Sequence, residues 1–454
     1  MSASKWKPYP DYKSSNELLG AIPHHWNVVP LKRHFDVQLG KMLQNEPKTD
    51  TDTFDYYLKS ANIQWEGVST DKVSKMWFSE KDKAKYRLKN GDLLISEGGD
   101  VGRSCIFEDE IDECYIQNAV NRVRSKGDTT TRYLYYWMKT MHNAGIIEII
   151  CNKSTIPHFT AEKVAEVRYF NPSIEEKNAI VHLLEIRSFE IQSAINGLQK
   201  SMEKLEEERS TLITQAVTKG LNPDVPMKET GLDWYPEVPS HWKLRRVKHI
   251  ATISPSNVDK KKYDGQEEVR LANYVDVYYN DRITEKLDLM VATASDNEIA
   301  KFSLKAGDLI ITKDSETWDD IAVPAFVPKT MKGVVCGYHL TLIRPNQEHV
   351  LGEFLFRTYQ ALGVRDQYHY NANGVTRYGL GSYWVNNGVV PLPPIDEQRE
   401  IAEYIDNNLQ VMKSIESNFL SNIEKLKEFR TAMISAAVTG KIDVRDYPLP
   451  EDTP

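Results

Sequence analysis

The phrase "LKNGDLLIS" at 88–96 returns as "LKAGDLIIT" at 304–312, 216 positions later (304 − 88). A nine-residue match at that distance makes internal duplication the first constraint on any fold. "IPHHW" (22–26) is answered by "VPSHW" (238–242) at the same displacement, and "YLKSANIQ" (57–64) has a looser echo in "EVRLANYV" (268–275). Toward the end of each half the displacement becomes 221 (395 − 174). There "NPSIEEKNAI" (171–180) matches "LPPIDEQREI" (392–401), and "MEKLEEERSTLITQAVTKG" (202–220) matches "IEKLKEFRTAMISAAVTGK" (423–441). The chain is a tandem duplication, each copy a mixed globular segment followed by a long helical one.

In the globular segments, "GDLLIS" and "GDLIIT" are short apolar runs after a Lys-x-Gly-Asp turn, which suits buried strands. Helical spacing is visible over 131–142 and 352–362. The long segments carry the clearest period. Leu184, Ile191, Leu198, Leu205 and Leu212 recur every seven residues, with Val181, Ile195 and Met202 on the companion position. The second copy supplies Ile405, Met412, Phe419, Leu426 and Met433, flanked by Leu409 and Ile423. A seam of about five heptads needs a partner helix, and two equal seams in one chain can fold back on each other. The expected fold class is therefore α+β: two pseudo-symmetric mixed α/β heads separated by two long antiparallel helices forming an intramolecular coiled coil. Ser173, three residues before Glu176, forms a capping box, and Pro172 and Pro393 prevent a much earlier helix start. Gly220 and Gly440 supply left-handed stops. The boundaries that follow are 1–172 and 221–392 for the heads, 173–220 and 393–441 for their helices, and a tail at 442–454. Arg209 and Arg430 share one seam position, where an arginine either fixes register or marks a frayed, solvent-facing turn.

At ~1.5 Å per residue the helix rises about 48 Å from Val181 to Leu212. That span matches one to one-and-a-half turns of duplex DNA, at about 34–36 Å per turn. Heads at opposite ends of such a rod would meet the same groove face twice, with an unread gap between.

Chemistry is expected elsewhere. No G-x-x-x-x-G-K-[S/T] phosphate loop is present: Gly40-Lys41 runs into Met42 and Gly440-Lys441 into Ile442. No Asn/Asp-Pro-Pro-aromatic tetrapeptide of amino-methyltransferases occurs, and "SEGGDVG" (96–102) lacks the helix that a phosphate cradle needs. Asp308 ahead of Lys313 lacks a second carboxylate, and the first copy carries Glu97 where the second has Lys313, so a duplicated nuclease site is excluded. His24, His25 and His241 adjoin tryptophan in both halves without a metal-ligand cluster, so packing is expected and no metal. The four cysteines show no C-x-x-C spacing and read as free thiols. Without a secretory signal or an apolar run of ~18 residues, the expected place is the cytoplasm.

A net charge of −8 argues against a nucleic-acid binder if charge is spread evenly. It is not. Residues 174–209 hold eight Glu against five Lys or Arg, while "LKRH" (31–34), "KDKAKYRLK" (81–89), "KLRRVKH" (243–249) and "DKKKY" (259–263) place base on the heads.

"NGDLLISEGGDVGRS" (90–104), "NGVTRYGLGSYWVNNGVVPLPPIDEQREIA" (373–402) and the helix tails ending "AVTKG" and "AVTGK" resemble the specificity subunit of Type I restriction–modification enzymes, over nearly the whole chain. The first copy departs from that pattern with "FNPSIEEKNAI", keeping only its apolar skeleton. The resemblance implies a non-catalytic DNA-reading scaffold of a prokaryotic cytoplasm. Each target-recognition domain would read one half of a bipartite target in double-stranded DNA, and the helices would set the gap and dock two methyltransferase subunits. Motor–nuclease subunits would attach through those. Adenine methylation, ATP-dependent translocation and cleavage, with S-adenosylmethionine, ATP and Mg, would belong to the partners, and no cofactor to this chain.

Base edges are read by Asn, Gln, Arg or Lys from loops, while other cations grip phosphate. The mid-domain segments, where the copies diverge, offer Lys59, Asn62, Gln64, Trp65, Arg103, Asn152, Lys153, Thr155 and His158 in the first half. The second offers Arg270, Asn273, Tyr274, Lys313, Trp318, Asn373, Thr376, Arg377 and Tyr378. The rival reading is a structural coiled-coil adaptor whose heads bind protein, which would favour uniformly apolar head surfaces.

Overall fold

The computed structural model describes residues 6–16, 20–127, 129–151 and 158–447. They form two compact units: Met1–Gly197 with Ser421–Pro454, and Leu198–Leu420. Compactness thus cuts each long helix near its middle and gives each head a half of both.

The repeated phrase builds the same corner twice. Gly91 (φ 83°) and Gly307 (φ 90°) take the left-handed conformation the turn requires. The next residue, Asp92 or Asp308, is 1% exposed. Its carboxylate accepts the amide of Lys89 or Lys305 at 2.8 Å, closing the turn. The same carboxylate takes a two-pronged grip from an arginine on the adjacent strand. Arg124 donates to Asp92 at 2.7 and 2.6 Å, and Arg344 to Asp308 at 2.8 Å twice. A buried carboxylate is tolerated only with such partners. The fully buried strands Leu93–Ser96 and Leu309–Thr312 then run into the core. Asp308 is a corner-post, spent on Arg344.

Each strand sits inside a four-stranded antiparallel sheet. The order in the first head is Ser104–Ile106, Leu93–Ser96, Val120–Ser125, Phe35–Leu39. The second head has Pro324–Phe326, Leu309–Thr312, Leu340–Pro345, Ala251–Pro255, the same order. A three-stranded mixed sheet accompanies each: Thr53–Leu58 between Tyr115–Ile116 and Ser74–Phe78, and Glu267–Ala272 between Val334–Cys336 and Met290–Ala294. The way in and the way out of each head are zipped together, Asn27–Pro30 with Arg168–Asn171 and Lys243–Arg246 with Val389–Leu392. Two copies of one topology therefore underlie the duplicated sequence. Helices Thr131–Asn143 and Gly352–Gln360 pack behind the sheets. The second stops before 362 because Ala361 is extended, and a new helix, Leu362–His369, begins there.

The long segments are single helices, Ile174–Lys219 and Ile395–Val438. In the first unit Ile191, Ile195, Ile423 and Met433 are buried, and Arg430 donates to Gln192 of the facing helix at 3.1 Å. In the second unit Ile213, Ala216 and Val217 share one core with Ile401 and Ile405, with Leu212 and Leu409 packed against it. The start of each helix thus meets the end of the other, which makes the pair antiparallel. Every seam residue is buried or half-buried. Arg209 is not frayed: it bonds Glu206 within its own turn at 3.2 Å and Asp281 of the second head at 3.3 Å. Half of the expected capping box is present: Glu176 N donates to Ser173 Oγ at 3.2 Å, while the Glu176 carboxylate turns to His25 and Tyr9 of the head.

The ends of the described chain meet in the first unit. Asp443 N donates to Lys7 O at 2.8 Å, Tyr12 OH to Gly440 O at 2.9 Å, and the rings of Trp6 and Tyr447 stack. No helix among the described residues is long and apolar enough to cross a membrane.

Candidate DNA interface

Most second-half candidates converge on one surface. The short strands Asp314–Ser315 and Tyr378–Gly379 pair, and Leu380 N donates to Lys313 O at 2.7 Å, so the segment 373–379 is stitched to the end of the repeated strand. Asn373 and Gly379 exchange both backbone hydrogen bonds. A Cβ on Gly374 would lie 1.8 Å from Arg377 O, so this tight turn requires glycine. The closed loop presents Val375, 97% exposed, beside exposed Thr376. Arg377 pairs with Asp314 at 2.8 Å and meets His339 at 3.3 Å, while His339 holds the same carboxylate at 2.7 Å. Lys313 donates to Ser256 O at 2.8 Å beneath the Tyr338 ring, and burial pulls its ammonium pKa below the ordinary lysine value against the pull of Asp314. Tyr274 contacts Ser315 Oγ at 3.0 Å and stacks on Tyr278, whose hydroxyl donates to Asp320 at 2.8 Å. Exposed Trp318 lies two residues from that carboxylate, its ring edge-on to His369. A preorganised polar and aromatic surface results, suited to reading base edges without ordering a loop.

The first head keeps the framework and changes the chemistry. Phe159 N donates to Glu97 O at 2.9 Å, the counterpart of Leu380 to Lys313. Glu97 stands where Lys313 stands, its carboxyl pKa raised by burial and opposed by His158, 4.0 Å away. Arg103 links Ser60 O (3.2 Å) with Asp100 (3.4 Å), and Asp100 holds His142 at 3.1 Å. The Trp65 ring packs on His142 and Tyr135, with the Lys139 ammonium 5.5 Å above it. Lys59 is half-buried nearby in sequence, and Gln64 donates to Ala61 O at 3.0 Å. Asn152, Lys153 and Thr155 lie outside the described residues.

Three expectations need correction. Asn62 and Asn273 are turned into the protein, 3% and 7% exposed. Both are buried framework residues that close short turns: Asn62 Oδ1 accepts from Lys59 N while its Nδ2 donates to Ser69 O and Lys72 O, and Asn273 caps Tyr274–Tyr278. Arg270 stands apart from the cluster, its guanidinium on Lys332 O at 3.4 Å. Sequence reasoning also passed over Asp314, His339 and Val375 in the second head and Asp100 and His142 in the first. Only their offset from flagged neighbours could have pointed to them. The basic runs are partly neutralised: Lys83 pairs with Asp55 at 3.1 Å, and Lys32 pairs with Glu166.

The family model for the type I restriction modification DNA specificity domain matches this chain twice, over 23–199 and 239–425. The chain belongs to the type I restriction–modification DNA-specificity family. It is 22% identical to the putative type I restriction enzyme MjaX specificity subunit of Methanocaldococcus jannaschii, across 96% of this chain and 98% of that one. A shorter stretch of 89 residues, 19% of each chain, is 36% identical to the type I restriction enzyme EcoBI specificity subunit of Escherichia coli. Its fold is shared with the HsdS subunit from Thermoanaerobacter tengcongensis at a TM-score of 0.57 and 14% identity, over 93% of this chain and 98% of that one. A chain from a structure of type I R-M complex assembly and conformational transition gives 0.67, also at 14% identity, over 93% and 99%. As a specificity subunit the chain is non-catalytic, with two target-recognition domains on one scaffold, and the adaptor reading is not favoured.

Proposed function

We propose that each head reads one half of a split target in double-stranded DNA and that the paired helices set the unread gap. The observation that carries this is the duplication itself. Identical sheet orders and an identical strand-to-loop stitch hold loops of different chemistry, Glu97 and His158 against Lys313 and Arg377. Unlike half-sites require that combination. The helices also dock two methyltransferase subunits, and motor–nuclease subunits join through them. S-adenosylmethionine, ATP and Mg serve those partners, in a prokaryotic cytoplasm. The net charge of −8 supports weak DNA binding by the isolated chain at physiological salt, with the partners' basic surface completing the grip.

Reconstitution with the methyltransferase subunits and mapping of modified bases tests the reading. Methylation at a two-part gapped sequence is expected; a continuous site, or methylation by this chain alone, contradicts it. Inserting one heptad at facing points of both helices adds about 10 Å of rise, or about three base pairs. The gap should lengthen by that amount while the half-site bases stay the same.

A further inference from the structure

Each head is fastened to the long helices by the same device. In the first unit His25 Nε2 lies 3.2 and 3.1 Å from the two carboxylate oxygens of Glu176, in the first turn of its helix. Tyr9 OH donates to the same carboxylate at 2.6 Å. In the second unit His241 Nε2 lies 2.9 Å from Glu397, again in the first helical turn, and Trp242 Nε1 donates to its other oxygen at 3.0 Å. The histidines are 216 apart (241 − 25) and the glutamates 221 (397 − 176), so five inserted residues between them have left the contact in place. The tryptophan of each loop is fully buried and receives the far end of the other helix. A Cβ on Gly440 would sit 2.5 Å from Pro23 and 3.0 Å from Trp26, and one on Gly220 3.2 Å from Trp242. One loop therefore grips the start of one helix and the end of its antiparallel mate.

Nine residues further along, the next tie is rebuilt between copies. Glu185 accepts from Arg132 at 2.9 Å, whereas its equivalent Asp406 accepts from Arg282 at 2.6 Å and Arg357 at 3.1 Å, and neither arginine replaces Arg132 in the repeat. Of these two ties between a head and the start of its helix, the histidine–glutamate contact is the one kept in both copies. We infer that it is a positioning latch: by locking each head to both helix ends, it converts the length of the helix pair into the gap demanded of the DNA. This rests on the split-target reading above.

Glu397 is the place to test it, because its side chain is 26% exposed whereas Glu176 is 4% exposed and would leave a larger defect. The full-length chain with its methyltransferase subunits is assayed on duplexes with constant half-sites and gaps one base pair shorter than, equal to and longer than the preferred one. Glu397→Ala should erode the preference for the native gap about ten-fold, the lower end of the loss expected for charge-assisted hydrogen bonds. Trp242→Phe, which keeps an aromatic ring in the core and removes the donor, should move the ratio in the same direction. His241→Gln, which still offers the carboxylate an N–H, should hold the parental ratio. An unchanged gap ratio in both Glu397→Ala and Trp242→Phe, whatever happens to total activity, overturns the latch, as does a change in which half-site bases are preferred. If the parental complex itself shows no gap preference, the split-target reading fails, and the latch with it.

Discussion

Lys177 sits where the repeat places Gln398. The glutamine is fully buried and satisfied, accepting from Leu351 N at 2.8 Å and donating to the carbonyls of His349 and Pro393. The lysine, 4% exposed, has neutral partners, Asn171 Oδ1 at 2.6 Å and Thr129 Oγ1 at 3.1 Å. Burial pushes its pKa down to about 8. The folded-state value lies below the unfolded one near 10.4, so between the two the unfolded chain binds the extra proton and stability rises with pH. Below pH 8 the penalty is fully present. Lys177→Gln should therefore stabilise the first unit at pH 7 by roughly 1–3 kcal/mol and flatten the rise between pH 8 and 10. Thermal unfolding at pH 7 and pH 10 checks both; a lower melting temperature at pH 7 would mean that the ammonium is better solvated than its surroundings indicate.

Elements were legible in proportion to how periodic they are. The heptad seam needed only spacing, and the strands after Gly91 and Gly307 needed only an apolar run behind a turn. The histidine–glutamate contact is invisible to such reasoning, because residues 151 apart (176 − 25) with no period between them become neighbours only through the sheet. Loop residues were harder still: Asn62 and Arg103 are both polar and both plausible readers, and burial alone separates them. A second stripe was also missed. Tyr404, Val411 and Ile415 stand on one exposed side of the second long helix, with Val411 61% exposed, while the equivalents Leu183, Glu190 and Ala194 offer no such stripe. If the stripe belongs to a methyltransferase interface, Val411→Glu should leave thermal unfolding within about 0.5 kcal/mol of the parent and lower the amount of methyltransferase that co-purifies with the chain. Full occupancy would place the docking surface elsewhere.

At the scale of the whole molecule, the two compact units differ in how they draw on the chain. One is a single stretch, Leu198–Leu420, and the other takes Met1–Gly197 together with Ser421–Pro454. Buried Met433, Ile434, Ala437 and Val438 belong to that last stretch, and Tyr133 OH donates to Val438 O at 3.2 Å. Domains emerging from the ribosome ordinarily fold N-terminal first. Here the order should reverse: the half synthesised second has all its parts by residue 420, and the half synthesised first must wait for the final thirty or so residues. A chain ending at 420 should yield, on brief proteolysis, a protected fragment beginning close to 198 and no protected fragment from the first head. The interval in which that head stands open is where a newly made chain is most exposed to degradation.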